Sequence, residues 1–259
     1  MKNSNCEKIS IVGLGNVGWH LSKLLIEKQI AIHSIVSRQS KSIPYFIKEH
    51  NVNVFSDINK ITDSDIIILC VSDHQIKGTA QQLKGTKALV VHTAGSVSID
   101  ELKNHFEDCG VLYPLQTFTK DVALQNPKFP FFIEASNKLQ SKRLEQIVLK
   151  LENPCFFINS EERKKMHLAG VMLNNFTNYL LTASEQYLTN NNLIFEAMYP
   201  LLRETIAKAY SNGPMNSQTG PAIRNNIDTI NKHISMLADN PQLQNIYRLI
   251  SENIISMHR

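Results

Sequence analysis

The sequence has few cysteines, and they lie far apart along the chain. None of the four forms a CxxC pair; they are Cys6, Cys70, Cys109 and Cys155. Because metal sites and disulfide frameworks need closely or regularly spaced cysteines, we predict reduced thiols and no bound metal.

Long apolar segments are also absent. The longest strongly apolar run, Ile66–Val71, is far shorter than the roughly 20 residues that cross a bilayer. The segment Met1–Lys8 is polar and lacks the apolar core of a secretory signal. We therefore expect a cytoplasmic protein that does not bind membranes.

Strong charge of either sign is missing as well. Lys and Arg number 27 against 23 Asp and Glu, a formal charge of +4, and no five like charges are consecutive. This balance is too mild for a nucleic-acid-binding surface. Hydrophobic residues make up 42% of the 259, which is enough for one large domain or two modest ones.

The first 158 residues alternate short apolar runs with stretches of helical spacing. Strands are predicted at 8–12, 31–36, 52–55, 65–71, 88–91, 109–113, 129–134 and 155–158. Helices are predicted at 18–28, 42–50, 73–83 and 137–151. This alternation predicts an α/β fold, with a Rossmann-type, doubly wound parallel sheet at the N-terminus.

After residue 160 the pattern becomes helical throughout. Helices are predicted at 161–188, 193–210, 225–239 and 242–257. We therefore divide the chain into a nucleotide-binding domain at 1–158 and an all-α domain at 159–259.

The most specific motif is a GxGxxG turn between the first strand and the first helix. It consists of Gly13, Leu14, Gly15, Asn16, Val17 and Gly18. The first glycine permits the tight turn, the second lets the backbone approach a pyrophosphate, and the third permits close helix–strand packing. The motif predicts dinucleotide binding; the alternative is a Rossmann-like domain that has lost its ligand.

The end of the second strand indicates which dinucleotide binds. NAD-preferring sites carry a carboxylate there for the ribose 2′-hydroxyl. Here the segment contains Ser37, Arg38 and Ser40, with no Asp or Glu. An arginine can pair with a 2′-phosphate, which favours NADP, although a solvated arginine at a strand end is also common.

Two further segments follow strands whose carboxyl ends line the predicted cofactor crevice. They are Val71, Ser72 and Asp73, and then His92, Thr93, Ala94, Gly95 and Ser96. We assign the first seven to the cofactor and Ser96 to the substrate. Asp73 could instead be the N-cap of its helix, and His92 a packed histidine. Gln116, in Tyr113–Phe118, is a further substrate candidate, unless that segment is an ordinary proline loop.

These motifs, with the all-α half, resemble the 6-phosphogluconate dehydrogenase-like superfamily. It includes β-hydroxyacid dehydrogenases, ketopantoate reductase, pyrroline-5-carboxylate reductase and deazaflavin-dependent NADP oxidoreductases. The chain is similar, over essentially its whole length, to an uncharacterised NADP oxidoreductase family with a Rossmann domain and a helical domain of unknown function. The segments that carry this closer resemblance are His92–Ser96, Tyr113–Phe118, His167–Gly170, Asn174–Phe176 and Thr219–Arg224.

The resemblance implies a two-domain build with the active site between the domains. It also implies NADP as cofactor, a small-molecule substrate, and a homodimer formed through the helical half. The second half would then be a substrate and dimerisation domain, similar to the C-terminal domain of 6-phosphogluconate dehydrogenase.

One departure from this resemblance concerns the catalytic lysine. β-Hydroxyacid dehydrogenases use K-x-x-x-N, which puts both residues on one helix face. Here Asn175 matches the asparagine, but Val171 stands at the lysine position. His167 lies a further turn back, and we predict it as the proton donor, unless it only caps or packs. Asn174 and Arg224 are further substrate candidates, although Arg224 could equally form a structural salt bridge.

The leading hypothesis is an NADP-dependent oxidoreductase that transfers hydride between nicotinamide and a small carbonyl, hydroxyl or imine group. A non-catalytic NADP(H) sensor is the second hypothesis, and Val171 is the residue that favours it. A dimeric interaction protein without ligand is the third, and the intact glycine turn counts against it.

Overall fold

The predicted strands join in one sheet in the computed structural model, which describes residues 7–38 and 43–259. The strands are β1 (Ile9–Val12), β2 (Ile32–Val36), β3 (Asn53–Phe55), β4 (Ile66–Leu69), β5 (Leu89–His92), β6 (Cys109–Pro114), β7 (Phe131–Ala135) and β8 (Cys155–Phe157). Their order is β3-β2-β1-β4-β5-β6-β7-β8, and the first six follow the Rossmann order. The predicted fold class is confirmed.

Helices cover both faces of this sheet. They are α1 (Asn16–Glu27), α2 (Tyr45–Glu49), α3 (Ile76–Gln82), α4 (Asp100–Lys103) and α5 (Lys138–Lys150). Leu25 of α1 and Leu144 of α5 are buried on one face, while Ile76 of α3 and Leu102 of α4 are buried on the other. All residues of β1 and β4 are buried, because the sheet is covered on both sides.

The sheet is not parallel throughout. β7 runs antiparallel to β6, with Pro114 opposite Phe131. A parallel neighbour would need a connection that carries the chain back to the amino end of β6, whereas the loop after Pro114 starts β7 beside the carboxyl end of β6. β8 is parallel to β7, because α5 makes the crossover between them.

The helical part begins with α6 (Ser160–Val171), a π-helical segment (Met172–Phe176) and α7 (Thr177–Asn190). The others are α8 (Tyr199–Asn212), α9 (Ile227–Met236) and α10 (Pro241–Met257). The compact units divide after Asn175, although the composition changes near residue 159. The two positions differ because α6 packs against the sheet through buried Arg163.

The second unit, Phe176–Arg259, buries few of its side chains. α7 and α8 contain no buried residue, and only Ala222, Ile230 and Ser251 are buried in the whole unit. No described helix is long and apolar enough to span a membrane.

Candidate active site

The three glycines of the turn meet very different surroundings. Gly13 has φ +102°, and a β-carbon there would lie 2.4 Å from the Cys70 carbonyl oxygen. A β-carbon at Gly18 would lie 2.0 Å from the Gly13 carbonyl oxygen. At Gly15 a β-carbon would have no atom within 4 Å. Gly13 and Gly18 are thus required by the fold, whereas Gly15 leaves open space above the backbone.

This open space lies at the start of α1. Gly15 is the N-cap residue, no side chain caps the helix, and its first turn contains no acidic residue. Free backbone N–H groups and the helix dipole favour a phosphate at such a position. The turn therefore fits the pyrophosphate of a dinucleotide.

The side chains of the turn have structural roles. Leu14 is buried, Val17 packs against the core, and the Asn16 side-chain oxygen accepts a hydrogen bond from the Lys120 backbone N–H at 3.1 Å. The Asn16 amide thus ties the loop after β6 to α1. These three predicted cofactor residues can therefore offer a phosphate only their backbone N–H groups.

Two of the predicted residues, Ser37 and Arg38, lie at the end of β2. Ser37 is buried, and its backbone N–H donates to the Phe55 carbonyl at 2.9 Å, which fixes the segment beside β3. Arg38 is exposed and forms no ion pair with the described residues. Ser40 lies outside the described residues.

Asp73 does not cap its helix, contrary to one expectation from the sequence. It is the first residue of a 3-10 turn (Asp73–Gln75), whose N-cap is Ser72, and its carboxylate accepts a hydrogen bond from the Ser96 hydroxyl. This bond joins the loops that follow β4 and β5. Asp73, Ser72 and Ser96 are all exposed at this edge, while Val71 is half-buried.

His92 is a packed histidine, so its side chain does not face a ligand. It has no exposed surface, and its Nδ1 accepts a hydrogen bond from the Ala94 backbone N–H at 3.2 Å. Burial, and secondarily the charge of Arg163, lowers the pKa of His92 to about 3, so the ring stays neutral. The role of substrate-side donor is therefore wrong for this residue.

Thr93, Ala94 and Gly95 follow β5 and offer mainly backbone atoms to the predicted cofactor crevice. The Thr93 hydroxyl donates to the Leu69 carbonyl at 3.2 Å, and Ala94 is buried. Gly95 is enclosed by two side chains, since a β-carbon there would lie 2.5 Å from His167 Nδ1 and 2.8 Å from Tyr113 Cζ. A glycine is thus needed at 95 to admit the imidazole.

His167, Tyr113 and Gly95 form the cluster that we call the His167 cluster. The Tyr113 hydroxyl and His167 Nδ1 are 3.0 Å apart, at hydrogen-bond distance. Tyr113 is 8% exposed at the carboxyl end of β6, while His167 is half-buried. Burial is the main cause that raises the pKa of Tyr113 to about 12, so its hydroxyl remains protonated.

A buried ion pair holds α6 in place beneath this cluster. Arg163, 1% exposed, pairs with the Glu134 carboxylate on β7 and donates to the Val97 carbonyl. The Ser160 hydroxyl donates to the same carboxylate at 2.7 Å and accepts from the Ile99 N–H at 3.0 Å. Because Arg163 and His167 are four residues apart, they share one helix face. The ion pair thus directs His167 towards the sheet.

Asn174 and Asn175 lie in the π-helical segment, which the sequence did not predict. Both are exposed, and neither side chain forms a hydrogen bond with the described residues. The expectation that His167 and Asn175 share a face assumed continuous α-helical spacing, and the π-helix interrupts that register. π-Helical segments occur frequently at functional sites.

The remaining substrate candidates lie elsewhere. The Gln116 side-chain oxygen accepts from the Thr117 N–H at 2.8 Å, within the loop after β6. Arg224 belongs to the second unit, is exposed, and lies in a turn before α9. Asn226 is the N-cap of α9, which begins at Ile227, within a few residues of the predicted start.

Sequence reasoning missed the partners of the predicted residues. It did not assign Tyr113 to His167, Lys120 to Asn16, or Arg163 to Glu134. For the first pair a signal was available, since both Tyr113–Phe118 and His167–Gly170 carry the family resemblance.

Comparison with known proteins identifies both parts of the chain. Residues 8–95 match the family described as NADP oxidoreductase coenzyme F420-dependent, and residues 129–254 match a domain of unknown function, DUF2520. A search of curated proteins gives no match.

Solved structures match the chain over nearly its whole length. A protein from Bacteroides fragilis described as a "putative NADP oxidoreductase" is 34% identical, with a TM-score of 0.89, covering 96% of this chain and 98% of that one. A Thermotoga maritima protein is 19% identical, with a TM-score of 0.74 and the same coverages. A Plasmodium falciparum pyrroline carboxylate reductase with NADP bound shares the fold at 13% identity, with a TM-score of 0.62 and full coverage of both chains. The chain therefore belongs to the family of two-domain proteins in which an NADP oxidoreductase domain precedes a DUF2520 domain.

Proposed function

We propose that this protein is an NADP-dependent oxidoreductase that acts on a small carbonyl, hydroxyl or imine compound, with His167 as the proton donor. The observation that carries the proposal is the His167 cluster. It puts an imidazole, fixed at Nδ1, at the carboxyl edge of the same sheet that bears the open glycine turn. In a Rossmann fold this edge is where ligands bind.

NADP is the cofactor. The family is one of NADP oxidoreductases, and the open space above Gly15 and the exposed Arg38 fit a phosphorylated dinucleotide. When bound, the cofactor supplies the hydride. The chain supplies backbone N–H groups for the pyrophosphate and the Arg38 guanidinium for the 2′-phosphate.

The proton in this scheme comes from His167. Reduction of a carbonyl or imine adds a hydride to carbon and a proton to oxygen or nitrogen. The Tyr113 hydroxyl occupies Nδ1, so Nε2 is the nitrogen that delivers the proton and is then reprotonated by solvent. In the reverse direction the same nitrogen accepts the proton from a hydroxyl or amine.

A second candidate function is an NADP(H) sensor without turnover. Val171 favours it, because this residue stands where β-hydroxyacid dehydrogenases have their lysine and valine can neither donate nor accept a proton. Calorimetric titration with NADPH and NADH, followed by a turnover screen of small ketones, aldehydes, imines and hydroxy acids, separates the two. Tight NADPH binding with turnover supports the oxidoreductase, whereas binding without turnover of any compound supports the sensor.

Arg38→Ala is expected to weaken NADPH binding about tenfold or more and leave NADH binding nearly unchanged. The reason is the loss of a charge-assisted bond to the 2′-phosphate, which NADH lacks. Calorimetric dissociation constants for both nucleotides provide the measurement.

Lys84→Ala is the matched control for this charge change. Lys84 is exposed and lies between the end of α3 and the start of β5, away from the carboxyl ends of the strands. Equal losses for NADPH and NADH in Arg38→Ala would refute the 2′-phosphate contact.

We also propose that the protein is a homodimer formed through its helical half. α7 and α8 bury no residue within one chain, and an apolar cavity of about 710 Å³ opens in the second unit. Exposed apolar side chains on these helices include Leu201, at 65% exposure. A helical unit with so little buried apolar surface needs a partner to cover it.

Light scattering during size-exclusion chromatography is expected to give twice the mass of one chain. Leu201→Glu should shift the protein towards the monomer, because it puts a charge into an apolar interface. Arg203→Glu on the same helix is the control, since Arg203 is exposed and forms no ion pair among the described residues. A monomeric wild-type protein would contradict the proposal.

A further inference from the structure

We propose that Tyr113 is a positioning residue, whose hydroxyl fixes the orientation of the His167 ring so that Nε2 is the nitrogen that exchanges a proton with the substrate. This inference rests on the proposed function of His167 and names a residue that acts through it. The starting observation is the 3.0 Å contact between the Tyr113 hydroxyl and His167 Nδ1.

The two rings hold each other in one arrangement. Their centroids are 5.9 Å apart at an interplanar angle of 71°, and both rings lie against Gly95. Tyr113 is itself held from its other side by Phe132, whose ring stacks on it at 6.2 Å. Tyr113 is therefore a rigid support, with its hydroxyl directed at the imidazole.

The hydroxyl has a single hydrogen-bond partner within the described part of the chain. That partner is His167 Nδ1, and the hydroxyl can donate to this nitrogen or accept from its N–H. In a neutral imidazole with Nδ1 accepting, the single proton lies on Nε2, whereas with Nδ1–H donating to the hydroxyl oxygen, Nε2 is free to accept a proton. When the imidazole is charged, Nδ1–H donates back to the hydroxyl oxygen, and Nε2 still bears a proton.

Two charged groups act on the tyrosine from neighbouring elements. They are Arg163 on α6, which lowers the pKa of Tyr113, and Asp73 after β4, which raises it. Burial is the largest influence and acts in the same direction as Asp73, so the phenol does not ionise under ordinary conditions. The hydroxyl thus remains available to His167 in both states of the imidazole.

The consequence concerns the proton-transfer step. The charged imidazole is the acid: its Nε2–H bond breaks as the proton joins the substrate oxygen or nitrogen, and the ring becomes neutral with its remaining proton on Nδ1, while the hydride would come from the bound cofactor. Throughout this step Nδ1 stays bonded to Tyr113, so the ring does not rotate away. Without the Tyr113 hydroxyl the His167 ring loses this hydrogen bond and can adopt other orientations, in which Nε2 does not face the substrate.

Tyr113→Phe tests this role, because it removes one oxygen and keeps the aromatic packing. We expect kcat to fall about tenfold, as for the loss of one hydrogen bond, with little change in KM and in the NADPH dissociation constant. In a His167→Ala background the same change should have no further effect, because the two residues act as one unit.

A spectroscopic measurement tests the contact independently of turnover. In protein labelled with ¹⁵N-histidine, His167 is assigned by its absence from the His167→Ala spectrum. We expect its Nδ1 signal to move in Tyr113→Phe, since that nitrogen loses its partner. Phe106→Leu is the packing control, since Phe106 is buried after α4 and its aromatic contact is with His105; it is expected to lower the melting temperature and leave kcat nearly unchanged.

The outcomes separate this inference from the proposed function. An unchanged Nδ1 signal in Tyr113→Phe, or additive effects in the double variant, would overturn the role of Tyr113 even if the enzyme is active. A wild-type protein without turnover would overturn the proposed function, while the Nδ1 signal would still decide whether Tyr113 fixes the imidazole.

Discussion

Gly15→Val is expected to abolish NADPH binding without lowering the melting temperature of the protein. A β-carbon at Gly15 meets no protein atom within 4 Å, so the side chain fits the unliganded chain. It would fill the space through which we propose that the pyrophosphate approaches the N–H groups of α1. Calorimetric titration gives the affinity, and thermal unfolding gives the stability.

The other two glycines of the turn are the matched controls. Gly13→Ala and Gly18→Ala should destabilise the fold, since β-carbons there would lie 2.4 Å and 2.0 Å from backbone carbonyl oxygens. We expect a loss of about 3 kcal/mol or more, at the upper end of the cost of overpacking. Unchanged NADPH affinity in Gly15→Val would overturn the assignment of the turn to the cofactor.

His167→Ala is expected to lower kcat by ~10²-fold or more, the usual contribution of a general acid. The NADPH dissociation constant should not change, and kcat and kcat/KM should fall together, because the proton is transferred only in the transition state. The decrease in NADPH absorbance with the best compound from the turnover screen gives both parameters.

His105→Ala controls for the loss of a histidine elsewhere in the first unit. His105 is half-buried after α4 and does not contact the His167 cluster. A tenfold or smaller effect of His167→Ala would remove this residue as proton donor. The sensor hypothesis would then gain support, because no lysine stands at position 171.

Features of the fold that depend on residues close together in sequence could be predicted. The glycine turn, the apolar strands and the helices around them follow from short-range patterns, and the structure has them within a few residues of the predicted bounds. Strand orientation was harder to predict. Whether β7 runs parallel or antiparallel depends on where the loop after Pro114 lies, and the composition of that loop does not encode its path.

The site was predictable only in part, because its geometry depends on distant residues. Tyr113 and His167 are 54 positions apart, so no periodicity joins them. Arg163 lies in a strongly charged segment, Ser160–Lys165, that is typical of a solvated helix start, yet it is 1% exposed. The burial of His92 likewise depends on residues that are distant in sequence rather than on its neighbours along the chain.

The anchoring of α6 by Arg163 and Glu134 has an evolutionary consequence. His167 belongs to the compact unit that ends at Asn175, together with the glycine turn, although its helix resembles the second half in composition. Residues 176–259 can therefore diverge, or be exchanged between relatives, while the imidazole keeps its place on the sheet. Substitutions in the second unit would then leave the proposed proton donor undisturbed, whereas a substitution at Arg163 or Glu134 would be expected to displace it.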